Sequence, residues 1–177
     1  MTAELLVLVD GRSARIRPMR RDDRAMYRDA VAGLSARSRY LRFAAASPRI
    51  SESLLNQMMA FDGDRHVVHA ALTPDGSAVV GVARFIRTDA DPDAAEVAIA
   101  IADRWQGGGL GSALLSTVIA RAREAGVHRL IATTLSENRA AAALARAVGF
   151  SATGQAGIYA EYELALGQAC DGSRSQP

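Results

Sequence analysis

Four glycines within five positions, Gly107, Gly108, Gly109 and Gly111, separate an apolar run that ends at Ala102 from a long apolar stretch that begins at Leu110. The run before them, Ala95 to Ala102, has the length and β-branched content of a strand. The stretch after them reads as a helix to about Ala125, where Gly126 ends it. Glycines let the backbone turn tightly and come close to a ligand. The helix start adds unpaired N–H groups and the positive end of the dipole. A strand, a glycine turn and a helix start in that order make an anion site suited to phosphates.

Spacing narrows the phosphate ligand. A nicotinamide-binding loop needs G-x-G-x-x-G; from Gly107 the third position falls on Ser112, and from Gly109 it falls on Leu114. A P-loop needs a lysine, and this chain has none, because all 21 of its Lys and Arg residues are arginine. High-GC coding accounts for that bias, since alanine is abundant too; the other reading is a protein that works on lysine side chains and presents none of its own. What fits is Gln-x-x-Gly-x-Gly, with Gln106, Gly109 and Gly111 in the three fixed places.

The rest of the chain arranges itself around this unit. Leu5 to Val9 and Ala14 to Pro18 flank the turn Asp10-Gly11. Helices follow to about Ala32, with Asp22 a possible cap, then over Leu34 to Phe43, and from Ser51 through Met59. Strands are expected at His66 to Thr73 and Ala78 to Arg87, joined by Pro74-Asp75-Gly76, and at Leu130 to Thr134 and Ile158 to Leu166. Glu137 to Val148 reads as a helix closed by Gly149. The order gives an α/β domain with one mixed sheet and helices on both faces. The expected layout is an arm or short strand over residues 1–13, the domain over 14–166 and a polar, frayed tail over 167–177.

Composition excludes several classes. The net charge is only +2, the arginines are spread along the chain and aromatics make up 5%, a poor profile for nucleic acid. No apolar run approaches the roughly 20 residues that span a bilayer, and Leu5 to Val9 is too short for a signal segment, so a cytoplasmic setting is expected. Cys170 is the only cysteine and cannot form an internal disulfide. His66 and His69 fall on opposite faces of a strand and His128 in a turn, so no metal site is expected.

Taken in order, Trp105-Gln106-Gly107-Gly108-Gly109-Leu110-Gly111 after a strand, Glu137-Asn138 after the next strand, and Gly149-Phe150 closing the following helix resemble the GCN5-related N-acetyltransferase (GNAT) superfamily. The resemblance runs from about Ala14 to Leu166. It implies a mostly antiparallel sheet splayed at an acetyl-CoA site, with the pyrophosphate on the amides of Gln106, Gly107, Gly108, Gly109, Leu110, Gly111 and Ser112. It also implies that the pantetheine arm pairs with the backbone at Ile99 and Ile101, that the Ile99 amide faces the thioester carbonyl, and that Asn138 sits near the arm. Asn138 reads equally as a plain helix-start residue.

An attacking amine must be neutral, which for a lysine-like amine of pKa ~10.4 costs about 4.6 kcal/mol at pH 7, so a positioned base is useful. Glu96 is the candidate. It lies on the strand before the loop and shares a face with the small Ala98 and Ala100, which leaves room for a substrate or a relaying water. The competing reading is a half-buried strand glutamate bonded to an arginine such as Arg84. The family's usual tyrosine acid falls here on Ala145, so that role stays unassigned; Tyr159 and Tyr162 lie on the last strand. Arg15 to Met19, Asp22-Asp23 and Leu34-Ser35 through Phe43 are similar to the acetyltransferase domain of bacterial protein lysine acetyltransferases. That likeness implies a protein lysine acceptor, for example on an acyl-CoA synthetase. A polyamine, amino acid or antibiotic acceptor is the alternative, and a non-catalytic CoA-binding module a third.

Overall fold

The computed structural model describes residues 4–43 and 51–167. Eight strands form one sheet: β1 (Glu4–Val7), β2 (Ser13–Pro18), β3 (His66–Leu72), β4 (Val79–Arg87), β5 (Ala94–Ile101), β6 (Arg129–Leu135), β7 (Ser151–Ala156) and β8 (Tyr159–Ala165). Their order across the sheet is β1-β2-β3-β4-β5-β6-β8-β7. Every neighbouring pair is antiparallel except β5 with β6. Five α-helices join them: α1 (Arg24–Ala32), α2 (Ala36–Phe43), α3 (Glu52–Met58), α4 (Leu110–Glu124) and α5 (Arg139–Ala147). The expected mixed, mostly antiparallel sheet with helices on both faces is thus the fold. None of the helices among the described residues is long and apolar enough to cross a membrane.

Both faces of the sheet are apolar, which is why both are covered. Leu110, Leu114, Leu115, Val118, Ile119 and Ala122 form the buried stripe of α4 at helical spacing. That stripe packs on Val67, Ala71, Ala83, Phe85 and Val97. On the opposite face Tyr27 and Val31 of α1 and Leu55 and Met58 of α3 pack on Val68, Ala70, Leu72, Val79 and Val82. Gly81 of β4 faces α4, where a Cβ would lie 2.7 Å from Cδ1 of its cross-strand partner Ile101 and 3.4 Å from Leu114 Cδ2 of α4, so the absence of a side chain there makes room for Ile101 beneath the helix.

Two local features differ from the sequence reading. Asp22 is exposed and caps nothing; Asp23, one residue later, is buried and its Oδ2 accepts from the Arg20 N–H at 2.7 Å. Asp23 ends a short 3₁₀ turn over Arg21–Asp23 and stands at the N-cap of α1 without a side-chain cap bond; its carboxylate closes the turn back onto Arg20. Ser151–Ala156 forms β7, although it lacks any apolar alternation. Every one of its residues is exposed, and it is held at the sheet edge by pairing with β8 alone. The expected tail lies, apart from Gly167, outside the described residues, as does Cys170.

Asp23 also ties β2 to the start of α1. The Arg17 guanidinium donates to both its oxygens at 2.6 and 2.7 Å, and the two side chains are only 11% and 3% exposed. Burial alone would raise the Asp23 carboxyl, but the Arg17 pair and the Arg20 N–H outweigh it and hold it below the ordinary 3.8. A lowered carboxylate contributes stability that is complete above the unfolded value and lost as pH falls through the folded one. Asp23→Asn leaves the Arg17 charge buried without its partner and is expected to cost about 3–5 kcal/mol in urea unfolding at pH 7. The difference from wild type should shrink as pH falls below ~4, where the carboxylate of the unfolded wild-type chain takes up a proton ahead of the folded one; an equal gap at pH 7 and pH 3 would refute the linkage.

Candidate active site

β5 and β6 run side by side for only three residues, Ala94 opposite Arg129, Ala95 opposite Leu130 and Glu96 opposite Ile131. Beyond that the two strands diverge, and β5 from Val97 to Ile101 keeps only β4 as a partner. The closed end is stapled. The N–H groups of His128 and Arg129 donate to the Asp93 carbonyl at 2.9 and 3.0 Å. The Arg129 guanidinium bridges Asp91 at 2.6 Å and Glu163 at 3.1 Å.

Ladder geometry says which backbone groups face the opening. The Ala102 N–H donates to Val80 and the Ala94 carbonyl accepts from Thr88, so even-numbered residues of β5 turn their polar groups toward β4. The odd-numbered residues, Ile99 and Ile101 among them, turn theirs into the gap. Gln106 Nε2 donates to the Ile101 carbonyl at 3.0 Å. The Ile99 and Ile101 N–H groups have no strand partner there.

The glycine turn closes the wide end. Gly107 and Gly109 have φ of 78° and 89°, a left-handed conformation that side chains rarely adopt. Gly109 is the N-cap of α4 and its carbonyl receives the Ala113 N–H. The N–H groups of Leu110, Gly111 and Ser112 precede the first intrahelical bond and are free to meet an anion. A Cβ on Gly111 would lie 3.3 Å from Leu144 Cδ2, so α4 and α5 meet across the gap at that residue. The β1–β2 turn backs the loop from outside. The Val9 N–H donates to the Gly108 carbonyl, Arg12 donates to the Arg104 carbonyl, and the same guanidinium stacks 5.0 Å over the buried Trp105 ring.

Asp103 was not singled out in the sequence, yet it joins this loop to α2. Its carboxylate accepts from the Ser35 N–H at 2.9 Å, the Ser35 hydroxyl at 2.8 Å and the Ser38 hydroxyl at 2.6 Å. Burial pushes the Asp103 carboxyl up, and these bonds outweigh it and hold it below its ordinary value. Further along α2, Tyr40 lies beside Glu137, whose charge raises the phenol. The helix therefore spans from the loop after β5 to the loop after β6, across the mouth of the gap.

Glu96 stands at the last paired position of β5 with its side chain exposed rather than half-buried, and it has no ion-pair partner among the described residues. The expected alternative, a bond to Arg84, is not formed. Ala98 and Ala100 follow it on the same face, partly buried. Asn138 Oδ1 accepts from the Ala141 N–H at 3.1 Å, so this side chain caps α5. Ala145 and Tyr162 are buried in the core, and Tyr159 is exposed at the start of β8. Among the described residues no group of three or more His, Cys, Asp or Glu could hold a metal. An open groove of about 430 Å³ lies between α1 and the β3–β4 turn, near Met26, Gly33 and Ser77, and reaches Ala102, Asp103 and Arg104 after β5.

A diverging parallel pair over a glycine-lined helix start matches one family. The model of the acetyltransferase (GNAT) domain covers residues 14–151. The chain belongs to the GNAT acetyltransferases. It is 33% identical over 145 residues to acetyltransferase PA5475 of Pseudomonas aeruginosa, across 81% of this chain and 77% of that one. Over 106 residues it is 32% identical to acetyltransferase Pat of Mycolicibacterium smegmatis, and there the match spans 60% of this chain and only 32% of the relative. The GNAT domain of S. lividans PAT superposes with a TM-score of 0.86 at 30% identity, covering 92% of this chain and 96% of that one. An acetyltransferase from Salmonella typhimurium, yncA, solved with acetyl-CoA, shares the fold with a TM-score of 0.69 at 23% identity, over 90% of this chain and 98% of that one.

If Asp103 anchors α2 in this GNAT domain, Asp103→Ala should raise amide exchange in Ala36 to Phe43 by roughly tenfold, as loss of a helix cap worth ~1 kcal/mol or more requires. Exchange in α4 should stay unchanged. Unaltered protection of α2 would show that Asp103 does not hold it.

Proposed function

We propose that the chain is an acetyl-CoA-dependent N-acetyltransferase whose acceptor is a lysine side chain of a protein. The observation that carries the reading is the loss of β5–β6 pairing after Glu96, which leaves Ile99 and Ile101 amides open above a helix start lined with glycine. Those residues fit acetyl-CoA. The amides of Gln106 to Ser112 suit the pyrophosphate, and the polar backbone of Ile99 and Ile101 suits the amide-rich pantetheine arm. When bound, acetyl-CoA supplies an acetyl group already activated as a thioester.

The chain's own part is binding, orientation and proton handling. The Ile99 N–H faces the gap and serves as a donor for negative charge that develops on a carbonyl oxygen there. Glu96, three residues earlier and on the α1–α2 face, accepts the proton of the incoming amine, directly or through one water. The face beside it is lined by Ala98 and Ala100, which leave room for a narrow, unbranched side chain. The protein-lysine acceptor rests on the similarity to the PAT domain over nearly the whole chain. The intact Glu96 speaks against a module that only binds CoA. With no lysine in the sequence, the chain offers no ε-amine of its own, so acetyl transfer in an assay reports on the added acceptor.

Two substitutions separate base from cradle. Glu96→Gln should lower turnover by ~10²-fold or more, as for loss of a general base, with CoA affinity within about twofold of wild type. Undiminished turnover would remove Glu96 from the chemistry. Gly109→Glu places a side chain at φ 89° and a negative charge at the helix start, and calorimetry should detect no CoA binding. Wild-type affinity in that variant would refute the loop assignment.

A further inference from the structure

Two arginines near the Glu96 face have no ion-pair partner among the described residues. Arg84 lies on β4 opposite Ala98, so it shares a face with Ala98 and stands diagonally across from Glu96. Arg42 stands in the last turn of α2, beside Phe43, which packs on the α1-side core with Tyr27 and Val82, and its guanidinium feels the charge of Arg84. Tyr27 of α1, buried, feels both charges. His66, buried on this face opposite Ile86, feels that of Arg84, and its Nε2 has no hydrogen-bond partner among the described residues. Arg42 is stacked 5.0 Å over the Phe43 ring and only partly open to solvent. Burial and the Arg84 charge together bring its guanidinium down to about 10.

Ion pairs elsewhere do not reach this cluster. Those among the described residues engage Arg12, Arg17, Arg24, Arg28, Arg65, Arg121, Arg129 and His128, and none engages Arg42 or Arg84. Glu96 is the nearest carboxylate by register, and it points into solvent unpaired. Two positive charges held together in a half-buried place are unfavourable until an anion joins them. A guanidinium pair suits a carboxylate in particular, since its planar donors match the two oxygens.

We propose that Arg84 and Arg42 form an anion seat beside Glu96 that takes a carboxylate carried by the acceptor. The inference rests on the reading that the Glu96 face receives the acceptor amine, and it narrows the acceptor class. The amine belongs to a molecule with a carboxylate nearby, either an acidic residue flanking the acceptor lysine or the carboxylate of a free amino acid. Polyamines and aminoglycosides are disfavoured, because their positive charges would meet the arginine pair.

The test reads binding and does not need turnover. CoA-bound protein is titrated by calorimetry with a short peptide holding Nε-acetyl-lysine beside glutamate, and with its glutamine twin. The glutamate peptide should bind roughly tenfold or more tightly, the range expected for a charge-assisted hydrogen-bonded pair. That preference should fall to within about twofold in Arg84→Gln and, as a second variant, in Arg42→Gln, with CoA affinity kept. N-acetylglutamate and N-acetylglutamine in the same titration tell a free amino acid from a flanking residue as the source. Equal affinity for carboxylate and amide in both pairs, or no binding of any of the four to the CoA complex, would overturn the seat. A carboxylate preference in binding together with no acetyl transfer to any matching amine would instead overturn the transferase reading and leave the seat standing.

Discussion

The structure depends on where two parallel strands stop pairing. Backbone N–H and C=O groups taken away from water need partners, so a strand inside a sheet ordinarily keeps both neighbours. Here β5 loses β6 after Glu96 while β6 continues to Leu135 beside β8. The divergence is sustained from both ends. Arg129 holds the narrow end shut through Asp91 and Glu163, while α4 and α5 keep the wide end spaced where Gly111 meets Leu144. The unpaired amides that result are placed by the ladder and need no side-chain arrangement of their own.

Around that opening the chain spends its polar side chains on holding elements in register. Asp103 gathers Ser35 and Ser38 and so fixes the start of α2 to the loop after β5. Arg12 holds the same loop from the far side through the Arg104 carbonyl and the face of Trp105. Asp23 and Arg17 fix the start of α1 against β2, and α1 in turn carries Tyr27 toward Arg42 and Arg84. The Glu96 face is thereby enclosed by α1 and α2 and left with an excess of positive charge.

How far this was legible in the sequence follows from the range of the interactions involved. The glycine turn, the helix after it and the strand runs of β3, β4 and β5 are local patterns, and they read correctly. The likeness to the GNAT acetyltransferases rests on the glycine turn together with Glu137-Asn138 and Gly149-Phe150, and the family match over residues 14–151 bears it out. β7 was not legible because Ser-Ala-Thr-Gly-Gln-Ala has no apolar face; its strand state comes from β8 alone. That Asp23 rather than Asp22 is the buried carboxylate was hidden because its partner, Arg17, lies six positions away. Asp103 bonds Ser38 across 65 positions and Arg42 feels the charge of Arg84 across 42, and nothing in local composition announces either.

The most direct measurement of the account is an amide NMR titration with acetyl-CoA. The backbone N–H resonances of Ile99 and Ile101 should move strongly and together with those of Leu110, Gly111 and Ser112, saturating at one common affinity. Those of Ala98 and Ala100, already bonded to β4, should move little. Movement confined to the helix start, with Ile99 and Ile101 unchanged at saturation, would contradict the claim that the gap between β5 and β6 holds the acyl donor.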